Sequence, residues 1–169
     1  KRQPFKRQEI IEGIWTRKGE KSREVLNRLS DMLDRCEKYA YDITRDFSYT
    51  ESFRRSIKNC VRRGVKLMTI SISPINEKNY HCAKWYHALG LPIRIFEMNV
   101  HPRIMVIDGK EVAIRLDKNP LKKRKFTFQS IWSGDPSLVK VFDLYVKNLW
   151  KIAKPVDFER LKIPAKLSI

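Results

Sequence analysis

The chain has 169 residues, 42% of them hydrophobic, which predicts one folded domain with a sizeable core and argues against disorder. No apolar run approaches the length of a membrane span, so we expect no contact with a membrane. The 36 Lys and Arg residues outnumber the 19 Asp and Glu residues and give a net charge of +17. A charge of this size attracts polyanions, and nucleic acid is the first candidate.

The beginning of the chain predicts a lead-in segment followed by a helix. Residues 1–20 are basic and irregular, so we expect a linker or a connecting helix there. From Lys21 apolar residues recur at helical spacings, which predicts an amphipathic helix. The predicted stripe consists of Val25, Leu29, Met32, Leu33 and Cys36.

The next segments alternate between strand and helix patterns. Residues 39–44 predict a short strand, and Ser48 with Glu51 forms a capping box that predicts the start of a second helix. We expect this helix to end at Gly64, because glycine suits the position after a helix. The apolar residues 65–72 predict a strand buried on both faces. This alternation is typical of an α/β sheet.

The middle of the chain predicts one more helix and three more strands. The helix is predicted over 77–89 and the first strand over 92–98. Residues 103–107 and 111–116 predict the two strands of a hairpin, because Asp108-Gly109 between them is a strong turn signal.

The last part of the chain predicts a basic loop, a strand and a long helix. The loop over 118–125 holds five cations and no acid, and the alternation over 126–132 predicts a strand. Asp135 with Pro136 is a suitable N-cap and first-turn pair for the helix. Residues 155–169 are predicted to form a C-terminal tail. The predicted apolar stripe of the helix is Leu138, Val141, Phe142, Tyr145, Leu149 and Ile152.

One motif at the entry to the hairpin carries chemistry. His101, Arg103 and Asp108 form the pattern H-x-R-x4-D, and alternation along a strand predicts that His101 and Arg103 project to the same face. The pattern resembles the H-x-K-x4-D motif of the phospholipase D superfamily, with arginine in place of lysine. In that family two motifs meet: one histidine attacks phosphorus, the other protonates the leaving group, and the lysines hold phosphate oxygens.

Two departures from the family pattern argue against catalysis. Arg103 keeps the positive charge but changes the donor geometry. The Gly-Ser/Thr-x-Asn stretch of the active members is replaced by Arg-Leu-Asp-Lys at 115–118. We therefore predict that the chain is not an enzyme, with His101 hydrogen-bonded at a strand corner and Asp108 serving the turn. The alternative is a phospholipase D-type nuclease whose active site forms in a homodimer, with one motif from each subunit.

The order of elements over residues 14–154 resembles the C-terminal phospholipase D-like domain of archaeal TrmB-type transcription regulators, including chromatin-associated members. The resemblance implies an α/β phospholipase D-like single-domain sheet with flanking helices and a β-hairpin over residues 21–154. It also implies a DNA-binding winged helix before Lys1, a homodimer or larger oligomer, and a cytoplasmic, chromosome-associated parent protein. We expect the helices from Lys21 and Asp135 to contribute to the subunit interface.

The predicted function is a regulatory and oligomerisation domain of a DNA-binding regulator, whose own basic surface also contacts double-stranded DNA. The predicted phosphate contacts are Arg54, Arg55, Lys58, Arg62, Lys122, Lys123, Arg124 and Lys125. A sugar-sensing module is the alternative, with a pocket lined by Trp132, Tyr86 and Tyr145. Trp132, Ser133 and Asp135 precede a helix N-terminus that could present N–H groups to a ligand, although Asp135 would also cap that helix.

The sequence predicts no cofactor and no metal site. Cys36, Cys60 and Cys82 are odd in number, far apart and outside any C-x-x-C pair, so we expect free, buried thiols. His81 and His87 lie six residues apart and do not share a helix face in the way that an i, i+4 pair of metal ligands does.

Overall fold

The computed structural model describes residues 11–17, 23–47, 50–116 and 126–161. The helices in this part of the chain are α1 (Arg23–Arg35), α2 (Glu51–Arg62), α3 (Tyr80–Ala88) and α4 (Pro136–Ile152). The strands are β1 (Ile11–Arg17), β2 (Tyr39–Thr44), β3 (Lys66–Ser71), β4 (Ile93–Ile95), β5 (Arg103–Ile107), β6 (Glu111–Arg115), β7 (Phe126–Ser133) and β8 (Lys154–Pro155). None of the helices described here is long and apolar enough to cross a membrane.

The strands form one mixed sheet in the order β1-β7-β6-β5-β2-β3-β4-β8. β2, β3 and β4 are parallel, whereas β2 pairs with β5 in the antiparallel sense. The sheet therefore changes direction between β2 and β5. The carboxyl ends of β2, β3 and β4 meet the beginning of β5 at one edge of the sheet, which is where crevices form in α/β proteins.

Helices cover both faces of the sheet. One hydrophobic cluster joins α1, α2 and α3 to the sheet and contains Met32, Ile57 and Tyr86. The other lies between the sheet and α4 and contains Ile43 and Val146. β2 contributes alternate side chains to both clusters because successive residues of a strand point to opposite faces.

The predicted α/β architecture is confirmed, and so are several local signals. The hairpin between β5 and β6 turns at Asp108 and Gly109, whose φ angles are 52° and 62°. Gly64 follows α2 with a φ of 76°. Asp135 caps α4, because its side chain accepts hydrogen bonds from the N–H groups of Ser137 and Leu138. These signals are local, so neighbouring residues decide them.

The apolar stripe predicted for α4 is buried only in part. The residues of α4 that are buried are Val139, Val146 and Leu149, and Phe142 packs against the same cluster. Val141 and Ile152, which also belong to the predicted stripe, are 62% and 63% exposed. Apolar residues occur around most of this helix, so spacing alone does not define which side faces the sheet.

Three other predictions need correction. Ile11–Arg17 is not a linker or connecting helix but strand β1, antiparallel to β7. α2 begins at Glu51, and its cap is Thr50, whose hydroxyl accepts from the Phe53 N–H at 3.3 Å. Val156, in the predicted tail, donates its N–H to the Ile93 carbonyl at 3.1 Å. Ser48, the loop 118–125 and the residues after Leu161 lie outside the described part.

Candidate functional site at the carboxyl edge of the sheet

The H-x-R-x4-D motif lies at the edge where β2 and β3 end and β5 begins. Arg103 is the first residue of β5, and His101 stands two residues earlier in the extended segment that follows β4. Ile104 pairs with Ile43, next to the last residue of β2. The topology therefore brings His101 and Arg103 next to the loop that joins β2 to α2.

His101 is engaged with α4. Its Nε2 lies 2.6 Å from the Tyr145 hydroxyl, and the two rings stack with centroids 5.6 Å apart. Its Nδ1 contacts the carbonyl of Pro102, which can only accept a hydrogen bond, so Nδ1 carries the proton and Nε2 accepts from Tyr145. Burial raises the pKa of Tyr145, which keeps this hydroxyl protonated. The ring nitrogen that would attack phosphorus is thus already hydrogen-bonded.

Arg103 is held by an acid of the neighbouring loop. Its Nη2 lies 2.9 Å from Oδ2 of Asp46. The side chain lines a cavity together with Leu26 and Leu29 of α1, on the face opposite to α4. The prediction that His101 and Arg103 project to the same face is therefore wrong. Pro102 separates them and β5 begins only at Arg103, so the period of a strand does not extend to His101.

The sequence reading missed Arg45, a second cation at this edge. Arg45 directly follows β2 and donates to the Ser73 hydroxyl at 3.3 Å and to the carbonyls of Met98 and Asn99 at 3.4 and 3.5 Å. These hydrogen bonds connect the segment before β5, which carries His101, to the ends of β2 and β3. Its position at the carboxyl end of a parallel strand is the signal that would have found it.

Asp108 connects the hairpin to the loop after α1. Its carboxylate accepts hydrogen bonds from the N–H groups of Glu37, Lys38 and Tyr39 at 2.8, 2.8 and 3.0 Å. Burial alone would raise the pKa of Asp108, but the three N–H donors outweigh burial and lower it. The carboxylate stabilises the fold at a distance from His101.

The basic residues predicted on α2 fall into two groups. Arg55, Lys58 and Arg62 are exposed. Arg54 is half-buried and places its guanidinium 4.8 Å from the ring centroid of Trp85 on α3. The predicted contacts Lys122, Lys123, Arg124 and Lys125 lie outside the described residues.

The side chains predicted to bind a ligand before α4 have internal partners. Trp132 donates its indole N–H to Glu111 at 3.0 Å, and the buried Ser133 hydroxyl accepts from the N–H of Asp135 at 3.0 Å. Asp135 itself accepts the N–H groups that begin α4. Asp135 therefore caps α4, and ligand binding by Trp132, Ser133 and Asp135 stays a prediction.

The predicted aromatic pocket does not form. Tyr86 is buried in the cluster beneath α1, α2 and α3, against which Trp132 packs. Tyr145 lies on α4 at the other face of the sheet and is 37% exposed. The sheet separates these rings, so Trp132, Tyr86 and Tyr145 do not line a common pocket.

The comparisons with known proteins identify the fold. The sequence matches no protein-family model and no curated protein. Solved structures show that the sheet with its flanking helices is the phospholipase D-like fold, as the motif and the order of elements predicted.

Three of the similar structures indicate how far the likeness reaches. TrmBL2, an archaeal chromatin protein whose structure shows a novel mode of DNA binding, is 17% identical with a TM-score of 0.64 over 85% of this chain. Nuc from Salmonella typhimurium, a phospholipase D family member, is 13% identical with a TM-score of 0.63 over 86% of this chain and 98% of its own. NucT from Helicobacter pylori is 14% identical with a TM-score of 0.64, over 86% of this chain and 99% of its own. The chain spans 54% of the length of TrmBL2. At these identities the likeness establishes the fold.

Proposed function

We propose that this chain is a non-catalytic, DNA-contacting assembly domain of a chromosome-associated transcription regulator. The observation that carries the proposal is a row of cations on the solvent side of α2, in a chain with a net charge of +17. The likeness to TrmBL2, an archaeal chromatin protein, supports it. Regulation of transcription and sensing of a sugar concern the whole protein and remain predictions.

The three exposed cations of α2 are spaced to follow a phosphate backbone. Arg55, Lys58 and Arg62 stand at positions i, i+3 and i+7, on one side of the helix. They span about 10 Å along its axis, the length that about three phosphates of one DNA strand cover. Asp31 and Asp34 of α1 share a groove with Arg55 and reduce the positive potential at that end. We therefore expect Lys58 and Arg62 to contribute more than Arg55.

Neutralising this row should weaken DNA binding and its dependence on salt. We expect Arg55→Gln, Lys58→Gln and Arg62→Gln together to lower affinity for duplex DNA by about 10- to 100-fold and the salt slope by about 2–3. Fluorescence anisotropy across a salt series measures both. The matched control replaces the exposed Lys78, Lys140 and Lys154 with Gln and removes the same charge elsewhere. Equal losses in both variants would mean that total charge, and not α2, binds DNA.

A phospholipase D-type nuclease is the second candidate function. It is favoured by the position of His101, Arg103 and Arg45 at one edge of the sheet and by the fold shared with Nuc and NucT. Against it, each of the three side chains has a protein partner there. The DNA recovered from the binding experiment decides between the two. Intact DNA is expected, whereas metal-independent cleavage that His101→Ala abolishes would establish the nuclease.

The outward side of α4 supports the proposed homodimer. Val141, Leu144 and Ile152 are 62%, 55% and 63% exposed, and Tyr145 lies in the same row. Asn148 interrupts this row, but exposed apolar residues grouped on one side of a helix are typical of an interface. In an antiparallel pair of α4 helices, Val141 of one copy would meet Ile152 of the other, as a twofold axis requires. The stripe of α1, by contrast, is mostly buried in the core, so it gives no support to the prediction that α1 contributes to the interface.

A charge placed in this row should dissociate the dimer. We expect Val141→Glu to yield a folded monomer, because a carboxylate would be desolvated against the apolar side chain of Ile152 of the other copy. The control, Lys140→Glu, changes the charge of the neighbouring exposed residue by more and should remain dimeric. Sedimentation velocity over a range of concentrations measures the outcome. A wild-type chain that is monomeric throughout would eliminate this interface.

A further inference from the structure

The basic row of α2 and the exposed apolar row of α4 lie on opposite faces of the sheet. α2 packs through Phe53 and Ile57 into the hydrophobic cluster that it shares with α1 and α3. α4 packs through Val139 and Val146 into the cluster on the other face. The sheet therefore separates the cations of α2 from the apolar residues that α4 exposes.

The cations of α2 point away from the sheet. The helix turns by about 100° per residue, so the row of Arg55, Lys58 and Arg62 lies opposite the side that Phe53 and Ile57 bury. All three cations are exposed. A duplex that contacts this row thus lies beyond α2, on the side of the domain that does not carry α4.

The proposed pairing of α4 helices determines where the two basic rows stand in a dimer. A twofold axis between antiparallel α4 helices places both of them at the centre of the dimer, and each α2 lies beyond its own sheet. Because neighbouring layers of helices and sheets pack about 10 Å apart, the two α2 helices are at least about 30 Å from each other. Their exposed sides diverge, so a straight duplex that lies along one row does not follow the other.

Electrostatics permits two duplexes on one dimer. A separation of at least about 30 Å is several Debye lengths at physiological ionic strength, where the Debye length is about 8 Å. The repulsion between the two duplexes is therefore largely screened, whereas each duplex contacts the cations of one α2 directly. The net charge of +17 on each chain attracts both duplexes.

We propose that one dimer bridges two separate DNA duplexes, with one duplex on the α2 row of each subunit. The inference rests on the proposed function, since it requires DNA contact by α2 and pairing of two copies through α4. It goes further because it states how many DNA segments one dimer holds. Such a dimer joins segments that are distant along a chromosome, whereas a dimer with both rows on one side would cover a single segment.

Capture of a second duplex tests the bridge. A biotin-labelled duplex on beads and a free fluorescent duplex of the same length are mixed with the protein, with DNA in excess. The wild-type chain should retain at least about tenfold more fluorescent DNA than Val141→Glu, because only the dimer joins two DNA-binding surfaces in one particle. Anisotropy should show that both proteins bind DNA. A wild-type dimer that binds DNA but retains no more of the fluorescent duplex than Val141→Glu would overturn the bridge and leave DNA contact by α2 intact.

Two further variants separate failure of the bridge from failure of the proposed function. Lys140→Glu changes the charge beside Val141 but should remain dimeric and bridge as the wild type does. The combined variant Arg55→Gln, Lys58→Gln and Arg62→Gln should remain dimeric and lose both DNA binding and capture. If this combined variant binds and captures DNA as the wild type does, α2 is not the DNA surface, and the proposed function fails together with the bridge.

The stoichiometry with a short duplex gives an independent measurement. A duplex of about 12 base pairs covers little more than one helical turn. Sedimentation equilibrium should show two such duplexes on each wild-type dimer at saturation, because each α2 row holds its own. One duplex per dimer would mean that both rows share the same DNA, which contradicts the bridge.

Discussion

Replacing Asp108 with alanine should lower the free energy of unfolding by about 3–5 kcal/mol, a large effect for one substitution outside the apolar core. The carboxylate accepts the N–H groups of Glu37, Lys38 and Tyr39, and alanine leaves all three without this acceptor. Alanine is also strained at the φ of 52° that position 108 adopts, whereas Asp tolerates it. Urea unfolding of both proteins near neutral pH measures the difference.

Asp108→Asn is the matched control. Asparagine tolerates the same backbone conformation and keeps one acceptor oxygen, so it should lose about half as much stability as alanine does. If both variants unfold at the wild-type urea concentration, the hydrogen bonds of Asp108 contribute nothing to the stability of the fold. The contribution also has a defined pH window. Because the pKa of Asp108 is lowered on folding, it is complete above the ordinary carboxyl pKa and is lost as pH falls through the lower folded value.

Replacing Asp42 with asparagine should stabilise the protein above neutral pH. The pKa of Asp42 rises from 3.8 to about 7 on folding because the carboxyl is buried. Between these values the folded chain keeps a proton that the unfolded chain releases, so wild-type stability falls as pH rises. The full difference corresponds to roughly 4 kcal/mol, and the partial exposure of Asp42 reduces it to about 2–4 kcal/mol. Asparagine has no proton to release, so the stability of the variant should not decrease in this way as pH rises.

The stability of wild type and Asp42→Asn should therefore converge near pH 4 and diverge up to about pH 7. Chemical unfolding at several pH values gives the two curves, and the melting temperature at about pH 8 should differ by about 5–10 °C. Parallel curves would show that Asp42 titrates normally in the folded protein. Thr69→Val, which also removes a buried polar group next to Asp42 but titrates at no pH, controls for the loss of polarity alone.

If the chain is non-catalytic, as we propose, the arrangement at the carboxyl edge would explain how a phospholipase D-like fold persists without phosphodiester hydrolysis. Tyr145 holds Nε2 of His101, and Asp46 holds Arg103. Each of the two motif residues that would meet a phosphate is thereby satisfied within the chain, while Asp108 keeps a role in stability. Under the proposed function, natural selection would retain these residues for the hydrogen bonds that they make within the chain and not for hydrolysis of a phosphodiester.

The missed and misread elements share a physical cause. β1 lies in a basic and irregular lead-in and is interrupted by Gly13, and it is a strand because β7 offers an edge for pairing. α4 is apolar on several sides, and the sheet selects Val139 and Val146 for burial while leaving Val141 exposed. His101 fell outside the predicted alternation because the strand begins two residues later. The conformation or burial of each of these three segments depends on a partner that is distant in sequence.

The features that could be predicted from the sequence are those that short-range chemistry controls. The turn at Asp108-Gly109, the end of α2 before Gly64 and the cap at Asp135 each depend on the backbone preferences and hydrogen bonds of a few adjacent residues. The order of these elements, with the motif, was enough to predict a phospholipase D-like sheet. The contacts of the site residues, by contrast, follow from the tertiary fold, which places Tyr145 at His101 and Asp46 at Arg103. Such contacts join residues far apart in the chain, and spacing along a sequence carries no information about them.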